Sequence, residues 1–260
     1  MINLRKYGKP PYAVAVVHGG PGARGEVASV ARELSSHVGI LEPLQTATTL
    51  EGQVSELHTV LQENSTPPVT LAGHSWGAWL SFIVTARYPE SVKKLLLIGS
   101  GPFEHQYAEG ITGTRLTRLS EADRLRAISL IEALSDPETA NKNKLFGEFG
   151  TLFARADAYD LLPDDHEALE VQYDEGQQVW QEAEALRRSG KLLEMGKQIT
   201  CPVVALHGDY DSHPADGVVR PLSRVLRDFR FVLLDKCGHS PWLERQARDR
   251  FYDILRSEIE

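Results

Sequence analysis

The chain has 260 residues, 42% hydrophobic and 25% charged, which are the proportions of an ordinary globular protein. That length suits one α/β domain with an insertion better than several independent domains. The net charge of −8 argues against a nucleic-acid binder, whose affinity rests on neutralising phosphates with Lys and Arg.

Only two cysteines occur, Cys201 and Cys237, so there is no disulfide framework and a reducing compartment fits. The N-terminal residues lack the apolar core of a signal peptide, and no apolar run approaches the ~20 residues that span a bilayer. The expectation is a soluble, cytoplasmic monomer or homodimer with no membrane partner.

Tyr12–Val17 (YAVAVV) is a short apolar run feeding His18-Gly-Gly-Pro-Gly22, a buried strand entering a turn. Val27–Ser36 reads as a helix and Gly39–Leu44 as a second strand. Leu50, Val54, Leu57 and Leu61 share one helical face. Val69–Ala72 predicts a strand, Trp76–Tyr88 a helix and Val92–Ile98 a strand. The alternation returns with Pro202–Leu206, Val218–Leu226, Phe229–Leu234 and Leu243–Ile259. Strands alternating with helices imply a parallel sheet covered on both faces, with ligands beyond the carboxyl ends of its strands.

Between about Phe103 and Lys197 the alternation stops. Ser120-Glu-Ala-Asp opens a helix with a capping-box pattern, with Leu125, Ile128, Ile131 and Leu134 expected on one stripe. Leu169, Tyr173, Trp180, Ala183 and Leu186 mark a later helix. The segment 103–197 reads as a helical cap inserted into a core formed by 1–102 and 198–260.

Chemistry concentrates at three loops. Val69-Thr-Leu-Ala-Gly-His-Ser75-Trp-Gly77 runs from strand into helix through the G-x-S-x-G pattern of a nucleophile elbow. Glycines flank the serine because side chains there would clash with backbone drawn close by the tight turn. A serine hydroxyl needs a base, usually a histidine oriented by a carboxylate. Among nine histidines, His239 lies in Cys237-Gly-His-Ser-Pro-Trp242, between the last strand and the last helix, on the same sheet edge as Ser75. The carboxylate is expected from Gly208-Asp209-Tyr-Asp211, after the preceding strand; either aspartate fits.

These motifs, in the order Ser, Asp, His, resemble the α/β-hydrolase-fold serine hydrolases along nearly the whole chain. His18-Gly-Gly-Pro-Gly22 resembles the HGGPG oxyanion loop of the proline iminopeptidase group. Gly208-x-x-Asp211 resembles the family's acid loop and selects Asp211. The resemblance implies a Ser75–His239–Asp211 triad, an oxyanion hole of the Gly20 and Trp76 backbone N–H groups, an acyl-enzyme route on a small-molecule ester or amide, and no cofactor. Two features depart from the pattern. Family members usually begin with two further strands, whereas about eleven residues precede Tyr12 here, so the sheet is expected to have about six strands, with Gly39–Leu44 near an edge. His74 stands where proline iminopeptidases generally carry glycine.

Other readings remain open. His207, Asp209, Asp211 and His213 alternate, as a metal site on an extended chain would, although Gly208 and Pro214 favour a turn. Trp76 and Trp79 fit either a pocket wall or core packing. From Glu104 to Gly196 there are 19 acidic and 10 basic residues, which fits either solvated helix faces or a rim holding a substrate ammonium, as in an aminopeptidase. A non-enzymatic ligand receptor on the same fold is a further alternative.

Overall fold

The computed structural model describes residues 3–163 and 173–259. Seven strands form one sheet among the described residues: β1 (Leu4–Tyr7), β2 (Tyr12–Val17), β3 (Gly39–Pro43), β4 (Val69–His74), β5 (Val92–Ile98), β6 (Val203–Gly208) and β7 (Phe229–Leu234), in the spatial order β1-β3-β2-β4-β5-β6-β7. All pairings are parallel except that of β1 with β3. This is the α/β-hydrolase architecture expected from the sequence.

The strands read as unbroken apolar runs because both faces are buried. In β2, Val14 and Val16 join the cluster covered by α1 (Ala28–Leu34) and the C-terminal helix. Ala15 and Val17 face the larger cluster under α2 (Leu50–Asn64) and α3 (Trp76–Arg87). Every residue of α3 from Trp76 to Ala86 is buried, as befits a helix that is apolar around most of its girth. Thr49 starts α2 by accepting the Gly52 N–H in its side chain.

The sheet has one strand more than the six expected. Leu4–Tyr7 is short and half charged, so its alternation is lost in the sequence; its partner strand is what defines it. Glu42 of β3 is fully buried, and β1 brings it the Tyr7 hydroxyl at 2.7 Å and the Arg5 guanidinium at 3.6 Å. Burial, and then the carboxylate, push the Tyr7 phenol up to about 12. Gly39–Pro43 is therefore covered and buried throughout rather than left at an edge.

Between β5 and β6 the chain runs through α4 (Ile111–Arg118), α5 (Glu121–Ser135), α6 (Lys142–Ala156), α7 (Tyr173–Arg188) and α8 (Lys191–Glu194). The α5 and α6 helices bury Ala127, Leu130, Leu152 and Phe153 in a small core of their own. In contrast, Val179, Ala183, Leu192 and Leu193 of α7 and α8 belong to the main core. Ser120 caps α5 by accepting the Asp123 N–H at 3.2 Å, as its capping box predicts.

The expected stripe on α5 is corrected. Leu125 is 62% and Ile128 38% exposed, while Ala127, Leu130 and Leu134 are buried. The buried residues keep an i, i+3, i+7 spacing that includes a small alanine where α6 crosses, and Leu125 falls on the opposite face. Leu169 lies outside the described residues.

After β6 come α9 (Asp216–Val225), β7 and α10 (Arg248–Ile259). The last helix begins five residues later than its apolar pattern predicts. Glu244, at the head of that pattern, spends its carboxylate on the backbone N–H groups of Tyr159, Asp160 and Gly238, each at 2.8 Å. No helix among the described residues is long and apolar enough to cross a membrane.

The β1–β3 junction has a testable energetic consequence. Tyr7→Phe keeps the ring and removes the donor to a buried carboxylate, so a loss of about 1–3 kcal/mol is expected in urea unfolding. An unchanged midpoint would show that β1 does not hold Glu42.

Candidate active site

The loops leaving β2, β4, β5, β6 and β7 meet above the carboxyl edge of the sheet, around the point where the strand order reverses between β2 and β4. Ser75 sits there between β4 and α3 with φ 53° and ψ −113°. That conformation is costly for a residue with a Cβ, on the order of 1–3 kcal/mol. It is held by the sheet on one side, through the Ser75 N–H bond to the Ile98 carbonyl at 2.9 Å, and by α3 on the other.

The two flanking glycines are required by space. A methyl group on Gly73 would overlap the Gly77 carbonyl, and one on Gly77 would overlap the Val17 and His18 carbonyls. The elbow is thus pressed against both its own helix and the end of β2. Trp76 opens α3, so its N–H has no partner one turn back in the helix. Gly20, with φ +35°, lines the same cavity as Ser75.

His239 and Asp211 come together as the sequence expects. His239 Nδ1 lies 2.8 Å from Asp211 Oδ2. A carboxylate only accepts, so Nδ1 carries the proton and the neutral ring keeps its lone pair on Nε2. The backbone N–H of His239 donates to the Asp157 carbonyl at 2.9 Å. Burial disfavours the charged imidazole, but Asp211 outweighs it and raises the His239 pKa above its ordinary 6.5.

Asp211 is a hub for more than one ring. Its Oδ1 accepts from both the backbone N–H and Nδ1 of His213 at 2.9 Å, and His207 Nε2 lies 3.6 Å from Oδ2. Burial opposes ionisation, yet His239, His213 and His207 together hold the carboxyl well below the usual range. Burial brings His213 down to about 4, so this ring is neutral at physiological pH. It stacks on His239 with centroids 4.5 Å apart.

Asp209 turns the other way, its Oδ1 accepting the Cys237 N–H at 3.1 Å, so of the two aspartates Asp211 faces the histidine. His207 donates Nε2–H to the His213 carbonyl at 2.8 Å. Hence the four alternating residues do not share one side, as the turn at Gly208 and Pro214 anticipates. Asp211, His213 and His239 do place one ligand-type atom each within 4.8 Å of one another.

Behind the elbow runs a second polar chain. Glu26 Oε2 accepts the Gly19 N–H at 2.7 Å and lies 3.2 Å from His74 Nδ1. His74 Nε2 donates to the His239 carbonyl at 3.1 Å. Burial would raise the Glu26 pKa, but His74 prevails and brings it to about 2. The His74 ring also packs against His239 and Trp242, at 4.8 and 4.6 Å between centroids. A glycine at position 74 could make none of these contacts.

Two cavities, of about 460 and 380 Å³, share Ser75, Gly20 and Arg115. The larger runs beneath Trp76, Trp79 and Trp180, with Phe146, Phe149 and Phe153 on the insertion side. Both tryptophans singled out in the sequence are pocket wall and core at once. They are 2% and 1% exposed, and their indole N–H groups are spent on Gln53 Oε1 and the Gly101 carbonyl. The smaller cavity passes His74, His239 and Asp157. Arg115, over the Phe153 ring at 5.0 Å, grips Asp157 through Nε at 2.8 and 2.9 Å.

Glu26, Asp157, Glu244, Arg115 and Arg187 all contribute to this region and none is marked in the sequence. Their partners lie 6 to 85 residues away, apart from Glu184, which is three residues from Arg187. No local spacing announces such roles.

The sequence matches the model of the alpha/beta hydrolase family over residues 14–254. No curated protein matches it. Among solved structures, a monoacylglycerol lipase of Paleococcus ferrophilus is similar at TM-score 0.63 and 14% identity, covering 98% of this chain and 97% of that one. A thermophilic esterase from Thermogutta terrifontis is similar at 0.62 and 17%, covering 99% and 93%. A proline iminopeptidase of Mycobacterium smegmatis is similar at 0.61 and 17%, covering 98% and 93%. At such identities these likenesses speak to the fold alone. With the family match spanning almost the whole sequence, the chain belongs to the alpha/beta hydrolase family.

Proposed function

We propose that the protein is a serine hydrolase that cleaves an ester or amide bond of a small molecule through an acyl-enzyme. Ser75 attacks the carbonyl. His239 Nε2 takes the hydroxyl proton and delivers it to the leaving group, and Asp211 holds the ring in the required tautomer. The backbone N–H groups of Gly20 and Trp76 receive the oxyanion, backed by the positive end of α3. Water then attacks the acyl-enzyme by the same route in reverse. The observation that carries this reading is the 2.8 Å bond between Asp211 and His239, beside a strained serine that opens onto a cavity.

The charges of the larger cavity bear on the aminopeptidase alternative. Its described lining residues include Arg115 and Arg187 but no Asp or Glu. In the smaller cavity, Glu26, Asp157 and Glu244 are committed to Gly19 and His74, to Arg115, and to three backbone N–H groups. A substrate ammonium finds no spare carboxylate among the described residues that line these two cavities. This favours an ester or amide that lacks a free N-terminal amine.

Three measurements test the proposal. A fluorophosphonate probe should label one serine, and Ser75→Ala should abolish labelling and lower kcat on the order of a millionfold. Retention of a tenth of the activity would remove Ser75 as nucleophile. A protein that binds ligand but never labels would be a receptor.

Asp211→Asn should cost on the order of 10⁴ in kcat through the wrong imidazole tautomer, with Asp209→Asn costing far less. The reverse order would assign the carboxylate to Asp209. Preference for an aminoacyl arylamide over its N-acetylated twin would restore the aminopeptidase reading.

The pH profile has a definite sign. His239 acts as base only when neutral, so kcat/KM should fall as pH drops through its pKa. Because that pKa is raised, the limb should lie above 6.5. Asp211→Asn should move whatever activity remains to a lower-lying limb. A profile flat down to pH ~4 would contradict histidine as the base.

A further inference from the structure

The larger cavity contains a group that the proposed chemistry leaves without a task. Arg187, on the last turn of α7, lines this cavity together with Ser75, yet its side chain is only 5% exposed. Its guanidinium lies over the Trp79 ring at 5.4 Å, and Trp180 stacks parallel to that indole at 5.6 Å between centroids.

Its partners are too few for its donors. Arg187 NH2 meets Glu184 Oε1 at 3.0 Å. The same oxygen also receives Arg188 NH2 at 3.2 Å, so one carboxylate serves two guanidinium groups. Nε of Arg187 donates to nothing among the described residues, although a guanidinium offers five N–H donors in a rigid fork. Burial pulls its pKa below the ordinary value, the mark of a cation short of solvent. The other guanidinium in the cavity, Arg115, differs on this point: three of its contacts go to Asp157, with NH2 at 2.6 Å.

A buried cation with a spare donor and only a shared carboxylate, in a wall otherwise built of aromatic rings, is costly to leave without a further partner. An apolar substrate entering this cavity would displace water and leave the charge still less compensated. A substrate carrying its own carboxylate would answer the charge with paired N–H···O bonds. The acidic residues of the insertion do not forbid this. Their repulsion grows with ligand charge and is screened over about 8 Å at physiological salt, which disfavours polyanions far more than a single carboxylate.

We infer that Arg187 anchors a carboxylate borne by the substrate at a distance from the scissile bond, so that the protein acts on esters or amides of small monoanionic molecules with an apolar middle. The inference rests on the serine-hydrolase reading above and adds the substrate class to it.

The test uses the full chain and two pairs of esters matched in length. Mono-p-nitrophenyl adipate is compared with p-nitrophenyl heptanoate, which places the carboxylate on the acyl side. In the second pair 5-acetoxypentanoate is compared with hexyl acetate, which places it on the leaving side. The readout is the ratio of kcat/KM, charged over neutral, within each pair, so a partial loss of folded protein cancels.

For the wild type a ratio of about ten or more is expected in one of the pairs, the size of one charge-assisted hydrogen bond. Arg187→Gln and Arg187→Met should bring that ratio to about one, and Arg187→Lys should retain part of it. Preference for the neutral ester in both pairs overturns the inference, as does a preference that survives Arg187→Gln. Hydrolysis of none of the four esters, with Ser75 still labelled by fluorophosphonate, also overturns it while leaving the serine-hydrolase reading in place. Failure of Ser75 to label would remove that reading itself.

Discussion

The geometry of the site depends on one close approach, that of the β4–α3 elbow to the end of β2. Ser75 can hold φ 53° because the residues two positions away on either side, Gly73 and Gly77, carry no side chains. Gly73 lies against the carbonyl of Gly77, and Gly77 lies against those of Val17 and His18. The sheet supplies the counterforce: Gly73 is in register with Val17 on one side and Leu97 on the other. A strained turn survives where its surroundings over-determine it, and an elbow in the middle of a seven-stranded sheet meets that condition. Gly20, Ser75 and Trp76, which opens α3, line one cavity above this junction.

Electrostatics near Ser75 follows a consistent rule. Each buried or half-buried carboxylate there is matched by fixed donors rather than by mobile lysines. Asp211 takes imidazole and backbone N–H groups, Glu26 takes Gly19 and His74, Glu244 takes three backbone N–H groups, and Asp157 takes Arg115. Ionised carboxylates held by several hydrogen bonds also fix the loops that carry them. Through Glu244 and the Asp157 carbonyl, residues 157–160 are tied to the loop that carries His239. The insertion is therefore part of the mounting of the histidine as well as a cover for the cavity. Arg187, by contrast, is a buried cation whose hydrogen-bonding carboxylate, Glu184, also serves Arg188.

Its two halves give the insertion two characters. Helices α5 and α6 close over a small core of their own, whereas α7 and α8 are built into the main core through Val179, Ala183, Leu192 and Leu193. The wall that carries Trp180 and Arg187 is thus continuous with the main core. The opposite wall carries Phe146, Phe149 and Phe153 of α6, and of these Phe149 and Phe153 pack in the smaller cluster.

Much of this was legible in the residues themselves. Apolar runs and helical stripes between residues 12 and 98, and again after 202, determined the alternating architecture, because a strand buried on both faces and a helix buried on one leave different periods. The elbow, the Asp211 loop and His239 could be read because each is a local turn following a strand, and a parallel sheet brings the carboxyl ends of its strands to one edge. Strand β1 was not legible, since four residues with two charges define a strand only through the neighbour they pair with. The stripe on α5 and the start of α10 depended on which face α6 covers and on what Glu244 holds. The contacts of Glu26, His74 and Asp157, and the packing of Arg187 over Trp79, were decided by tertiary structure alone. Each rests on a side chain meeting, across space, a group that its neighbours in sequence do nothing to announce, and in a buried site such meetings determine charge and hydrogen bonding.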